Sequence, residues 1–313
     1  MKHTTLMFCI VLAAALAPAA PPAGLVLIGG RIYPAPGAPP ILSGSVVVRD
    51  GRIAAAGPPD LVAIPAGAER LDCAGASVAA GFWNCHVHFT EPKWEEAGRA
   101  PAARLDEQLQ EMLTRYGFTT VVDTGSLLEN TLALRRRIEA GECRGPRIFT
   151  TGPGFVARGG SPYYLKPVLL PEIETPEQAA AAVRERLAAG ADAIKLFTAS
   201  WATRERAVPI PVEVVRGAAS EAHRQGKLVL AHPSDITGLS AANEGVVDIL
   251  AHAIERPLEV PPELLVLMTR RGTAVIPTVA LFGEKVLPQV KSYSRAGLDL
   301  LFGTDVGYRP EYE

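Results

Sequence analysis

The sequence predicts an α/β protein built on a TIM-like (β/α)8 barrel, preceded by a small β-rich segment. From residue 81 onward, eight short apolar runs alternate with seven longer amphipathic runs. The short runs are apolar on both faces, as the strands of a buried parallel sheet are. The chain has 313 residues, 48% of them hydrophobic, which is enough to form a core of this size.

The first twenty residues, MKHTTLMFCIVLAAALAPAA, have the composition of a secretory signal peptide. A lysine precedes an apolar run that is too short to span a bilayer, and small residues follow it. We expect residues 1–19 to be removed and the mature protein to be secreted or periplasmic. Cys9 lies beside Phe8, which fits a lipoprotein cleavage site poorly, so no membrane attachment is expected after cleavage.

Residues 20–79 are predicted to form the β-rich segment, a small β-sandwich. Its β-branched runs LVLIGGRIY, GSVVVRDGRIAAAG and AERLDCAGASVAA are separated by glycine and proline, as short strands are. The three cysteines of the mature chain have irregular spacings and no C-x-x-C pair. A disulfide framework is therefore not expected.

Residues 80–313 are predicted to form the barrel. Its eight predicted strands are FWNCHVHF, TTVVDTG, RIFTTG, DAIKLF, LVLAHP, DILAHAI, TAVIPTVAL and LDLLFGTDVG. Its seven predicted helices lie near residues 104–115, 131–140, 176–189, 212–225, 235–244, 262–271 and 284–295. No eighth helix follows the last strand. We therefore expect a C-terminally truncated barrel whose exposed strand surface lowers solubility.

The charge balance is typical of a soluble globular enzyme and does not indicate a nucleic-acid binder. Lysine and arginine number 31 against 33 acidic residues, a formal net charge of −2, and there is no basic tract. The arginine run at residues 135–137 falls on a helical pattern, where a solvated face is the simpler interpretation. We predict no nucleic-acid partner, and the sequence leaves a homo-oligomer open.

Four of the six histidines lie at the ends of predicted strands. His86 and His88 end the first strand, His232 the fifth and His252 the sixth. The carboxyl ends of barrel strands form the face that carries active sites. Side chains at positions i and i+2 of a strand point to the same side, so His86 and His88 can bind one metal together. The fifth, His223, falls in a helical pattern and is interpreted as a surface residue.

Two charged residues complete the candidate site. Lys195 lies in the apolar run DAIKLF, where burying an unpaired ammonium group is costly. It is expected either to pair with an acid or to be chemically modified. Asp305 ends the eighth run beside two glycines and faces the same barrel mouth; the alternative is a carboxylate that only orders a loop.

These motifs resemble the metal-dependent amidohydrolase superfamily. The order is H-x-H, lysine, histidine, histidine and aspartate after strands one, four, five, six and eight. Together with GFWNCHVHF, GADAIKLF and LFGTDVG, this order is similar to the imidazolonepropionase-related and Xaa-Pro or Xaa-Arg dipeptidase branch. The resemblance covers nearly the whole mature chain.

The resemblance implies a binuclear metal site. The implied ligands are His86, His88, Lys195, His232, His252 and Asp305. One metal would be held by the H-x-H pair and Asp305, the other by His232 and His252. Lys195, carboxylated by carbon dioxide, would bridge them beside a hydroxide. Two Zn²⁺ ions are expected, with iron, manganese and cobalt as alternatives. Asp305 and Lys195 are the implied catalytic residues, and Asp305 would pass the hydroxide's proton to the departing amine.

The chain departs from the family pattern in three places. We expect the C-terminal β-strands that normally join the N-terminal segment to be missing. Strand five reads AHPSD where a small residue often follows the histidine, and the loop GFVARGGSPYYL lacks the histidine often found near its glycine pair. Substrate is expected to be recognised by loops beyond the strands. The candidate substrate-binding residues are Arg158, Tyr163, Tyr164, Trp201 and Arg204. The arginines would bind a carboxylate and the aromatic rings would line an apolar pocket, unless these are ordinary surface residues.

The predicted function is hydrolysis of an amide or peptide-like C–N bond in a small substrate, such as a dipeptide or an N-acyl amino acid. A metal-bridging hydroxide would be the nucleophile. The same centre could open lactones or phosphotriesters, because activated hydroxide does not specify the bond. The remaining alternative is a non-catalytic, truncated relic.

Overall fold

The structure is a computed structural model that describes residues 24–256 and 258–307. The chain divides into two compact units, residues 1–80 and 81–313. The predicted signal peptide, residues 1–19, lies outside the described residues, so its cleavage and secretion of the protein stay predictions. Among the described residues, no helix has the length and hydropathy needed to cross a bilayer.

The first unit contains one five-stranded sheet. Its strands are β1 (Leu25–Tyr33), β2 (Ile41–Arg49), β3 (Arg52–Gly57), β4 (Glu69–Asp72) and β5 (Ser77–Ala79). β1 and β2 pair antiparallel, as do β2 and β3, whereas β4 and β5 pair parallel with β1. Asp50 and Gly51, both left-handed, form the tight connection between β2 and β3. Val26, Val47 and Val62 form a small core. The two-sheet sandwich stays a prediction.

The second unit alternates strands and helices, as the sequence predicts. Its strands are β6 (Phe82–Val87), β7 (Phe118–Asp123), β8 (Arg147–Thr150), β9 (Ile194–Phe197), β10 (Ala199–Trp201), β11 (Ala207–Pro209), β12 (Val229–His232), β13 (Ile249–Ala251) and β14 (Ala274–Ile276). Its helices are α1 (Ala102–Met112), α2 (Leu128–Glu139), α3 (Pro176–Ala188), α4 (Val212–Arg224), α5 (Ile236–Glu244), α6 (Pro262–Arg271), α7 (Val279–Phe282) and α8 (Leu287–Arg295).

Seven of these strands form two parallel sheets, in the orders β6-β7-β8 and β9-β12-β13-β14. Single parallel bridges join the sheets into a ring. The bridged pairs are Phe155–Leu196, Val275–Leu300 and Val87–Val306. The chain between residues 300 and 306 therefore occupies the place of the eighth strand, between β14 and β6. The predicted TIM-like barrel is confirmed, whereas its C-terminal truncation stays a prediction.

Two of the predicted strands differ from the structure. The eighth run, residues 298–307, makes isolated bridges instead of a continuous strand, because left-handed Asp305 (φ 64) interrupts the extended backbone. The seventh ends at Ile276, since Pro277 has no amide hydrogen and Thr278 is left-handed (φ 51). The ribbon of β10 and β11 was not predicted.

The main core of this unit lies between the barrel strands and the surrounding helices. Val183 of α3 and Val215 of α4 pack with Ile194 of β9 in one buried cluster. The start of α3 is defined locally, because the Thr175 hydroxyl accepts a hydrogen bond from the Gln178 amide at its first turn. The packed helices hold the strands, and the strand ends carry the site.

Candidate metal centre

β6 delivers the H-x-H pair to the carboxyl end of the barrel. His86 is buried and His88 half-buried, and their ring centroids are 5.2 Å apart in an edge-to-face arrangement. Successive residues of a strand alternate in direction, which places both imidazoles on the same side. The predicted orientation of this pair therefore agrees with the structure.

Asp305 lies directly against both imidazoles. Its Oδ1 atom is 2.7 Å from His88 Nε2 and 3.3 Å from His86 Nε2. The ligand atoms of these three residues all lie within 4.8 Å of one another. Asp305 Oδ1 is buried, and its close polar contacts are those with these two imidazole nitrogens. This converging set of two imidazoles and one carboxylate fits a divalent metal ion.

The other two predicted histidines continue the cluster. The rings of His86 and His252 stack with centroids 5.4 Å apart, and the rings of His252 and His232 meet edge to face at 4.4 Å. His232 Nε2 lies 2.9 Å from Ser234 Oγ. All four strand-end histidines thus form one continuous row, with His86 and His252 between His88 and His232. Metal binding by them stays a prediction.

Lys195 points into the same interior. Its side chain is 2% exposed, and its Nζ atom donates to the carbonyl oxygen of Ala251, the residue before His252, at 3.3 Å. Gly154 makes room for it, because a Cβ atom there would lie 3.1 Å from Lys195 Cγ and 2.7 Å from the Phe197 ring. Lys195 is therefore a deeply buried amine. Its pairing with an acid or its modification stays a prediction.

Burial controls the protonation of the cluster. It lowers the pKa of His86 and His232 well below the ordinary value and that of His252 to about 4. Burial also lowers the pKa of Lys195 to about 8, against the attraction of Asp305. For Asp305, burial alone would raise the pKa, but the neighbouring histidines hold it well below its usual range. Neutral imidazoles beside an ionised carboxylate are the forms that bind metals.

Four of the five predicted substrate-binding residues lie in two aromatic clusters. The Tyr163 and Tyr164 rings meet edge to face at 5.5 Å, and the Arg204 guanidinium lies 5.4 Å from the Tyr163 ring centroid. The Trp201 ring is buried, and the guanidinium of Arg256 lies 4.1 Å from its centroid. Arg256 Nη2 also donates to the Arg204 carbonyl oxygen at 3.3 Å. This hydrogen bond therefore links the two aromatic clusters.

Arg158 is placed differently. Its side chain is 75% exposed, and its guanidinium is 2.5 Å from the Glu174 carboxylate. The sequence interpretation missed Arg256, which contacts two of the predicted substrate-binding residues. Arg256 follows His252 by four residues, and its guanidinium packs on the Trp201 ring. Its position in the loop after the sixth strand could have indicated Arg256. The neighbouring Glu255 makes the segment look like an ordinary polar loop.

A cavity of about 1010 Å³ opens at the opposite end of the barrel. Apolar side chains from the beginnings of the strands line it, including Phe82, Phe118, Leu228 and Phe302. Its lining contains none of the six predicted metal ligands. Size alone therefore does not locate the site, whereas the convergence of polar groups does.

Residues 77–289, more than half of the chain, match the model of the amidohydrolase family. The chain belongs to the amidohydrolase family. It is therefore an enzyme, a hydrolase of carbon–nitrogen bonds, and the family acts on small-molecule substrates. No curated protein matches this amidohydrolase.

Solved structures similar to this amidohydrolase support the predicted branch. A putative prolidase from Bifidobacterium longum is 27% identical, with a TM-score of 0.71, and the match covers 93% of this chain and 76% of that one. A prolidase complexed with N-methylphosphonate-L-proline is 24% identical (TM-score 0.73; 90% and 78% covered). A Xaa-Pro dipeptidase with bound methionine in the active site is 22% identical (TM-score 0.72; 90% and 79% covered). The resemblance to dipeptidase-like amidohydrolases is confirmed.

Proposed function

We propose that this amidohydrolase cleaves the amide or peptide-like bond of a dipeptide or an N-acyl amino acid. The observation that carries the proposal is the position of Asp305 Oδ1, which is buried 3.3 Å from His86 Nε2 and 2.7 Å from His88 Nε2. The prolidase and Xaa-Pro dipeptidase among the similar structures support a dipeptide, with proline as the first C-terminal residue to test. The composition of residues 1–19 supports action outside the cytoplasm.

Two Zn²⁺ ions are the proposed cofactors. The first would be held by the H-x-H pair and Asp305, and the second by His232 and His252. A bound divalent metal lowers the pKa of coordinated water and polarises the scissile carbonyl. Lys195, once carboxylated, would supply a further ligand group for these ions. Its neutral amine would attack carbon dioxide, form an N–C bond and release one proton, leaving a carbamate. A buried amine with a pKa of about 8 is partly neutral near pH 7.5, which supports this reaction.

The chain's own groups would move the proton and orient the substrate. Asp305, ionised and buried, would accept the proton of the attacking water and give it to the departing amine, so that the amine leaves neutral. Arg204, packed on Tyr163, and Trp201, packed under Arg256, would bind the substrate's carboxylate and side chain.

The test is the metal content of each chain after purification with zinc and bicarbonate. We expect about two equivalents in the parent, because a binuclear centre holds two ions, and one or fewer in Lys195→Ala. Lys291→Ala is the matched control, since Lys291 is exposed on α8. The loaded parent is then assayed with Xaa-Pro dipeptides, N-acyl amino acids, lactones and phosphotriesters. A folded parent that takes up no metal contradicts the mechanism, and hydrolysis of lactones or phosphotriesters alone contradicts the substrate class.

A further inference from the structure

Asn84 lies directly beneath the H-x-H pair. It is fully buried on β6, two residues before His86 and therefore on the same interior side. Its Oδ1 atom accepts hydrogen bonds from the amides of Thr304 at 3.1 Å and His86 at 3.3 Å, and its Nδ2 donates to Thr304 Oγ1 at 2.8 Å. One side-chain amide thus ties the first barrel strand to the residue before Asp305.

Asp305 needs such a support because its backbone is left-handed, with φ 64. This conformation is unfavourable for residues other than glycine and persists only where the surroundings enforce it. The bonds to Asn84 fix Thr304 on one side of Asp305. Thr304 Oγ1 in turn accepts from the Val306 amide at 3.2 Å on the other side, and the Asp305 amide donates to the His86 carbonyl at 2.8 Å.

Two glycines bring this segment against the metal-binding strand. A Cβ atom on Gly303 would lie 2.9 Å from His86 Cβ, and one on Gly307 would lie 1.9 Å from the His88 carbonyl oxygen. The glycines therefore permit the close approach. They supply no directional bond. Backbone hydrogen bonds between β6 and the segment, including the one from the Asp305 amide to the His86 carbonyl, set its register, and the Asn84 amide adds the side-chain bonds that fix Thr304.

We propose that Asn84 is a positioning residue that, through Thr304, holds the Asp305 carboxylate against the imidazoles of His86 and His88. The proposal rests on the proposed function to the extent that these three residues bind a metal. Asn84 is not one of the six proposed metal ligands and acts through Thr304. Removal of groups that orient metal ligands typically costs about 10–100-fold in metal affinity or activity, and we assign an effect of that size to Asn84.

The chemistry of the amide sets the series of variants. Asn84→Leu keeps the volume but removes the acceptor and the donor. Asn84→Asp keeps an acceptor for both amides, and the Thr304 hydroxyl can reverse its role and donate to it. Thr304→Val removes only the hydroxyl. Asn243→Leu is the control, because Asn243 is equally buried but donates to Leu239 within α5.

The measurement is zinc affinity, by competition with a chromogenic chelator, on variants whose folding is checked by circular dichroism. We expect Asn84→Leu to bind the zinc of the His86, His88 and Asp305 site about 10–100-fold less tightly than the parent, and Asn84→Asp to recover most of the affinity. Asn243→Leu should bind as the parent does. On a hydrolysed substrate, kcat should fall in Asn84→Leu while KM stays near the parent's. If Asn84→Leu does not fold, Thr304→Val replaces it, with a smaller loss expected.

Parent-like affinity in Asn84→Leu, or in Thr304→Val if it replaces Asn84→Leu, would overturn the proposal. So would equal losses in the tested variant and in Asn243→Leu, since these would reflect general destabilisation. A parent that binds no zinc would overturn both this proposal and the proposed function. A parent that binds zinc but cleaves no amide would overturn the proposed function alone, because the affinity series does not depend on substrate.

Discussion

Gly303 is one of the two glycines whose small size the site needs. A Cβ atom there would lie 2.3 Å from Ile276 Cγ2 and 2.9 Å from His86 Cβ. Gly303→Ala should therefore lower the free energy of unfolding by about 1–3 kcal/mol, the usual cost of overpacking. Denaturant unfolding measures this, with Gly57→Ala as the control because its Cβ would meet only Val62 at 3.3 Å. Equal stability of the two variants would contradict the expectation.

The separate residues of the site were predictable to different degrees. His86, His88 and Lys195 could be located from the sequence because packing alone rarely places a charged or metal-binding side chain in an apolar strand. Asn84 and Arg256 could not. Asn84 acts through Thr304, which is 220 residues away in the chain, and Arg256 packs on Trp201 from another loop. Such partners depend on how strands and loops meet, which no local pattern contains.

Asp123, at the end of β7, connects three elements of the barrel. Its carboxylate accepts from the Ser126 hydroxyl at 2.6 Å and from the hydroxyls of Thr131 on α2 and Thr150 on β8, both at 2.9 Å. Ser126 Oγ in turn accepts from the Phe89 amide, just after His88, at 2.7 Å. The carboxylate is therefore the shared acceptor of several buried donors.

Asp123→Ala should lower the free energy of unfolding by about 2–4 kcal/mol, because each buried donor left without an acceptor costs about 1–3 kcal/mol. Asp60→Ala is the control, since Asp60 is exposed in the first unit. Urea unfolding of the two variants and the parent measures the difference. A loss no larger than that of the control would show that the hydroxyls find other acceptors.

Long elements were predictable and short ones were not. The helices of nine or more residues have enough turns to show an amphipathic period, and their predicted positions lie close to the observed ones. β10 and β11 have three residues each, too few to show an alternation. The interruption of the eighth run at Asp305 could not be predicted either, because the contacts with β6 impose it.

At the scale of the whole molecule, the proposed metal joins the two ends of the barrel. His86 and His88 belong to the first strand, and Asp305 to the segment that closes the ring against it. A ligand that binds only the folded state at 100 times its Kd stabilises it by about 2.7 kcal/mol. Removing metal with EDTA should therefore lower the unfolding temperature, and zinc should restore it.

The control for this prediction is Asp305→Asn, which keeps the side-chain volume but removes the ionised carboxylate. Its unfolding temperature should respond much less to EDTA or zinc. Differential scanning calorimetry measures both proteins at equal concentration. An unchanged unfolding temperature in the EDTA-treated parent would mean that the closing segment is held without metal.

The pairing of Asn84 with Thr304 also dictates when the enzyme can become active. The two residues are 220 positions apart, and translation at about 5–20 residues per second separates their synthesis by roughly 10–45 s. Throughout that time the H-x-H pair has been made, but its carboxylate partner has not. Loading of the proposed site of His86, His88 and Asp305 would therefore follow synthesis of nearly the whole described chain, and a polypeptide that stops before residue 305 would lack the carboxylate ligand of that site.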